Sequence, residues 1–306
     1  MKKFKTIIFF ITLVLLSFKT TAQGVAYPLS NERVYNMMDR WDIRFGDGSI
    51  HTTLRPYNRL NVTRFALKLD SINQNLSVLD KNDIQYIYDD NNEFIAQPEM
   101  PTTLTGAKQY IDSTQLFYTA TTPSATTPTK YRINKKPILK YFYKTPANLY
   151  EINTRYFDLK INPIINVQMA NAKNDTSTLF TNVRGIELRG SIDDRLWFYS
   201  NILESQANVP DYVRQYVTKN NALPGNGSIK NYQLDFLKVK NGYDFLNAQA
   251  YVGFNLTSHI GMQIGHGRNF IGNGYRSLLL SDFSNNYFFL KLNTQVWKFH
   301  YQNIFA

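Results

Sequence analysis

The sequence predicts a mainly β protein in which an antiparallel β-barrel, complete or stopping partway round, follows a small N-terminal helical bundle. Three observations carry that prediction. A short charged and apolar leader opens the chain, apolar residues recur at helical spacing up to about Phe94, and strict alternation takes over beyond Tyr131.

The leader has the features of a secretory signal peptide over residues 1–22. Lys2, Lys3 and Lys5 precede the run IIFFITLVLLSF, Thr20 and Ala22 supply small residues for cleavage, and the mature chain is expected to start at Gln23. A retained anchor is the competing reading, but the apolar run is short for a spanning helix and Lys19 interrupts its end. The chain has no cysteine, so neither disulfides nor thiolate metal sites hold it together. Its formal charge is +11, and removing the four signal-peptide lysines leaves 11 − 4 = +7. That moderate basic excess suits anionic glycans or lipid headgroups, and export argues against nucleic acid as a partner.

Residues 23–96 are predicted to form the bundle, a periplasmic domain or plug. Val34, Met37, Met38 and Trp41 share one helical face, as do Val62, Phe65, Ala66, Leu69 and Ile72, and Asp80 stands as a cap ahead of Ile84 and Ile87. Residues 97–130, with runs such as TATTPSATTPT, read as a Thr/Pro-rich linker.

From 131 to 306 the period is two. In FDLKINPIINVQM, Phe157, Leu159, Ile161, Ile165, Val167 and Met169 oppose Asp158, Lys160, Asn162, Asn166 and Gln168. The same alternation returns in LNAQAYVGFNL and again from Trp297 to Phe305. A secreted sandwich alternates too. Strands of about ten residues, with short and long connections in turn, favour a tilted crossing of the outer membrane after signal-peptide export. Seven spans are read: 157–170, 179–192, 195–205, 246–257, 259–266, 287–294 and 296–305. Bacterial barrels close with even numbers, so either 232–240 is an eighth strand or the chain is a fragment truncated at its C-terminus.

The run GHGRNFIGNGYRSLLLSDFSNNYFFLKL is not a nucleotide loop. A dinucleotide fingerprint needs glycine three positions after Gly267, where Phe270 stands, and no Gly-Lys-Ser/Thr is present. It reads as a connection whose glycines let residues 267–286 fold tightly or tuck inside, followed by a strand with Phe288, Leu290 and Leu292 facing lipid.

The segments KPILKYFYKTPANLYEINTRYFDLKINPIIN, YDFLNAQAYVGF and GRNFIGNGYRSLLLSDFSNNYFFLKL resemble Bacteroidetes outer-membrane proteins similar to the Wzi-like capsule assembly family, which includes gliding-motility-associated members. GNGYRSLLLSD is the most specific part. The resemblance implies a large outer-membrane barrel whose periplasmic mouth is closed by the helical bundle. It also implies a lectin-like surface protein that holds capsular polysaccharide and is not an enzyme. This chain is short for such a barrel, which favours the N-terminal fragment.

The expected polysaccharide-binding residues are Arg268, Asn269, Asn273, Tyr275, Arg276 and Asp282. Arginines can hold carboxylates bidentately, and Tyr275 offers a flat apolar face. The blander alternative is that Arg276 and Asp282 pair and brace the loop. Glu187 and Arg189 are expected on the lumenal polar face. Tyr301 and Trp297 fit an interfacial girdle. His51, His259, His266 and His300 show no zinc spacing, so no metal, cofactor or catalytic residue is expected. Two other functions remain open: a motility or adhesion component contacting surface proteins, and a lipid-active barrel enzyme.

Overall fold

A computed structural model describes residues 24–46, 50–72, 76–95 and 141–306, apart from 144, 146, 155, 174–177, 194, 236–238, 258 and 297–298. The signal peptide, the Thr/Pro-rich linker and Trp297 therefore lie outside the described residues.

Three helices form the bundle: α1 (Glu32–Phe45), α2 (Arg59–Ile72) and α3 (Val78–Asp90), the last running into a 3-10 turn at Asn92–Phe94. Asn31 caps α1 by accepting the Val34 N–H, with Glu32 in the first turn and Arg44 in the last, matching the helix dipole. Ser77, not Asp80, caps α3. Asp80 is the third helical residue and closes a capping box, its carboxylate reaching back to the Ser77 N–H at 3.0 Å. The helices bury Val34, Met38 and Trp41 against Val62, Phe65, Leu69, Ile84 and Ile87, each side chain contributing about 1.5–3 kcal/mol.

Asp80 lies under this core and accepts the Trp41 indole N–H at 3.2 Å. It also pairs with Arg44 at 2.6 Å and Arg40 at 3.3 Å. Burial alone would raise its pKa, but the Ser77 hydroxyl and N–H, the Trp41 donor and the Arg44 charge outweigh burial and hold it below the ordinary carboxylate range.

The remainder is an antiparallel sheet. Its strands are β2 (Tyr150–Asn153), β3 (Phe157–Ala170), β4 (Leu179–Ile192), β5 (Leu196–Asn208), β6 (Lys230–Leu234), β7 (Val239–Asn255), β8 (Ile260–Gly267), β10 (Tyr287–Val296) and β11 (Phe299–Phe305). The order β11-β10-β8-β7-β5-β4-β3-β2 follows the chain, except that β6 pairs beside this path with β7. All seven spans read from the alternation are strands. The proposed eighth, 232–240, falls across two strands: 232–234 lie in β6 and 239–240 open β7. Residues 230–234 pair with the start of β7, Lys230 opposite Asp244 and Leu234 opposite Val239. Because Tyr243 and Asp244 pair with β6 on one edge and β5 on the other, β6 lies on the edge that β8 takes further along, and it adds no strand to the path between the edge strands β2 and β11. Among the described residues the edge strands β2 and β11 are not paired with each other, so the sheet is open.

One end of the sheet carries the short connections, those from β2 to β3, β4 to β5, β7 to β8 and β10 to β11. The other carries the long connections 171–178, 209–229 and 268–286. The second of these contains α4 (Asp211–Asn220), whose Val217 packs with Leu223 and Tyr243. The third contains β9 (Phe270–Ile271), which pairs with β1 (Leu54–Arg55) of the bundle.

The sheet is inverted in polarity. Ile165, Val167 and Met169 of β3, Ile186, Ile202, Val252, Ile264, Phe288, Phe299 and Tyr301 are exposed on one face. Lys160, Arg189, Tyr199, Asn201, Gln263 and Lys291 are buried on the other. The bundle covers that polar face on the side of the short turns. Val25 packs on Trp197 and Tyr199, and Tyr251 Oη accepts the Ala26 N–H at 3.0 Å. Gly253 makes room for the indole, because a Cβ there would fall 2.2 Å from the Trp197 ring.

Candidate functional site

Two polar groupings stand out, one under the bundle and one in the 268–286 connection. The first is an ionic clasp. Arg189, 2% exposed on β4, donates to Glu93 and, at 2.9 Å, to the Asp90 carbonyl. Arg59, at the start of α2, pairs with Asp90 at 2.9 Å, approaches Glu187 at 3.9 Å and lies over the Tyr27 ring at 4.1 Å. Glu187 accepts the Tyr199 hydroxyl at 2.9 Å. Burial would raise the Asp90 pKa, but the Arg59 and Arg189 charges bring it below the ordinary range. Lys160 binds Asp158 beside them.

Glu187 and Arg189 do lie on the polar face of their strand. They join the sheet to the bundle, Arg189 through Glu93 and Asp90 and Glu187 through Arg59. Arg59, Asp90, Glu93 and Asn148, whose Oδ1 accepts from Arg189 at 3.4 Å, were missed by the sequence reading. One signal was present: Arg59 puts a cation in a helical first turn that holds no acid, where the dipole disfavours it unless an outside partner compensates.

The second grouping is built on the glycine-rich connection. Gly272 has φ +116° and donates its N–H to the Thr53 carbonyl at 2.7 Å, tying the loop to the bundle. Gly274 has no positive φ among these residues. Asp282 accepts the Ser277 N–H at 2.8 Å and pairs with Arg276 at 2.9 Å. Burial tends to raise the Asp282 pKa, and the Ser277 N–H and Arg276 outweigh it, holding it low. The Arg276 guanidinium also lies 4.4 Å from the Phe283 ring centre.

The structure thus contains the brace that the blander reading expected. Arg268 is occupied as well, donating to the carbonyls of Asp282 at 2.9 Å and Gly225 at 3.4 Å. Asn269 requires a correction. It is 1% exposed, receives the Lys291 ammonium at 3.0 Å and donates to Tyr287, so it lies inside the sheet and cannot meet a surface glycan. Tyr275, 92% exposed, and Asn273 stand at the surface. Leu278, Leu279, Leu280 and Phe283 are exposed beside them.

His266 lies against Phe288 with the rings tilted at 55° and their centres 4.9 Å apart, while the Ser281 hydroxyl accepts the Phe283 N–H at 3.1 Å. Among the described residues no hydrogen bond joins that histidine to that serine. The described residues also contain no group of three or more carboxylates and histidines able to hold a metal, and no helix long and apolar enough to cross a membrane. No protein-family model, curated protein or solved structure matches the chain.

Proposed function

We propose that the chain forms the wall of an outer-membrane β-barrel with its helical bundle inside as a plug, and that its long-connection end holds surface polysaccharide. The inverted sheet carries the reading. In water, a face of isoleucines, valines and phenylalanines left exposed over a buried layer of lysine, arginine and asparagine is unfavourable on both sides. In a bilayer the same arrangement is favourable, because lipid meets the apolar face while the bundle and lumen solvate the polar one.

The polysaccharide part rests on the likeness of these segments to Wzi-like proteins and on the chemistry of the loops. Tyr275 and Asn273 offer an exposed ring beside an amide, and Tyr212 and Tyr216 of α4 are exposed among the long connections. Aromatic faces with adjacent polar groups suit sugar rings, which are apolar on their faces and polar at their edges. Since Arg276 braces the loop, Tyr275 is the residue to test. Tyr275→Ala should weaken binding of the purified protein to capsular polysaccharide by about tenfold, roughly 1.4 kcal/mol, without reducing outer-membrane assembly. Unchanged binding would remove the loop from the site.

The exposed Leu278, Leu279, Leu280 and Phe283 favour a second reading, a surface component that docks partner proteins through this loop. Retention of the polysaccharide by cells lacking the protein, together with loss of adhesion or motility, would select it.

A further inference from the structure

The clasp and the loop leave one buried cation unexplained. Lys291 of β10 is 3% exposed on the polar face, yet among the described residues its ammonium, with three donors, makes a single hydrogen bond, to Asn269 Oδ1 at 3.0 Å. The nearest aromatic partner, the Phe289 ring, is 5.5 Å away and is a weak substitute for a counter-charge. Among the described residues no carboxylate forms an ion pair with it.

Its neighbourhood holds imidazoles rather than carboxylates. His300 of β11 lies within Coulombic reach of both Lys291 and His51, and the two imidazole ring centres are 5.2 Å apart. The His300 Nδ1 is itself buried with no hydrogen-bond partner. Across β9, Arg55 lies over the Phe270 ring at 4.9 Å, and its charge is already answered by Asp39 at 2.6 Å. Neither Lys291, His51 nor His300 shares that carboxylate. His51, Lys291 and His300 therefore come together from separate parts of the chain where bundle meets sheet, and a buried ammonium is unfavourable unless something negative faces it.

We propose that the Lys291 ammonium, with the imidazoles of His300 and His51 as hydrogen-bonding neighbours, forms a site for a small oxyanion, a carboxylate or phosphate, held between bundle and wall. Asn269 fixes the lysine from one side, leaving two ammonium protons for the anion's oxygens. The anion supplies the counter-charge that the described residues lack. Because His51 belongs to the bundle while Lys291 and His300 belong to the sheet, an occupied site also ties plug to wall.

The test uses the purified full chain in detergent micelles near pH 7, titrated with inorganic phosphate, with glucuronate and with glucose, at constant ionic strength set by chloride. A saturable rise in unfolding temperature is expected with at least one of the two oxyanions and none with glucose, and which oxyanion acts distinguishes a phosphate from a sugar-acid source. Lys291→Met should weaken that response at least tenfold. No saturable response, or an undiminished one in Lys291→Met, would overturn the site. If Lys291→Met does not fold, the double variant His51→Gln with His300→Gln serves instead: a tenfold weaker response supports the proposal, and an unchanged one rejects it.

Discussion

Gly272 and Gly274 sit two residues apart and do different work. Only Gly272 adopts positive φ, and its N–H is the link from the loop to the Thr53 carbonyl. Gly272→Ala should cost roughly 1–2 kcal/mol of local stability and speed proteolysis of the 268–286 connection. At Gly274 an added Cβ meets only the Arg276 carbonyl, at 3.3 Å, so Gly274→Ala should leave the cleavage rate close to wild type. Equal rates would show that backbone conformation does not govern the loop.

Asp80 makes the second residue-scale prediction. Its pKa is held below the unfolded value, so its stabilisation is complete above the ordinary carboxylate range and is lost as pH falls through the depressed value. Amide protection of α1 and α3 should persist at about pH 5 and decline only below roughly pH 4. Asp80→Asn should reduce that protection by about 1.5–3 kcal/mol at neutral pH. A bundle that loosened between pH 7 and 5 would contradict this assignment. The sequence put Asp80 at a helix start but one turn too early in role, since an aspartate three residues after a serine can close a capping box as well as cap alone.

At the scale of elements, the strands were legible because each side chain on a two-residue period reports its face. The alternation from Phe157 to Met169 is the reason β3 exposes Ile165, Val167 and Met169 while burying Lys160. What the period could not reveal was pairing. Residues 232–240 have strand chemistry, but 232–234 lie in β6, which pairs with the start of β7 on the edge that β8 takes further along, so the span extends the sheet by no further strand in its path. Asn269 was misplaced for a related reason: it lies in a glycine-rich stretch that reads as surface loop, but β9 folds inward to pair with β1. The facing assignment has a direct consequence. Ile264→Arg should block outer-membrane assembly, since a charge near the midplane costs about 2–4 kcal/mol. Asn166→Arg, exposed on the opposite face of β3, should be tolerated. In a protein whose exposed sheet face met water, Ile264→Arg would be harmless.

At the scale of the molecule, the helices were predicted from their apolar spacing, but their seat on the sheet was not. That seat depends on side chains whose partners lie far apart in sequence, Arg189 with Glu93 and Tyr251 with Ala26, and no local pattern encodes such pairs. The result is a sheet whose polar face and the bundle bury each other while its apolar face is left exposed. Because the chain has no cysteine, single cysteines introduced at Ile202, Val252 and Ile264 can each carry a spin label in protein reconstituted in bilayers. The account predicts that relaxation of these labels is enhanced by dissolved oxygen, which partitions into lipid, and scarcely by a water-soluble nickel chelate. Strong relaxation by the nickel chelate at all three sites would place the apolar face in water and contradict the membrane wall.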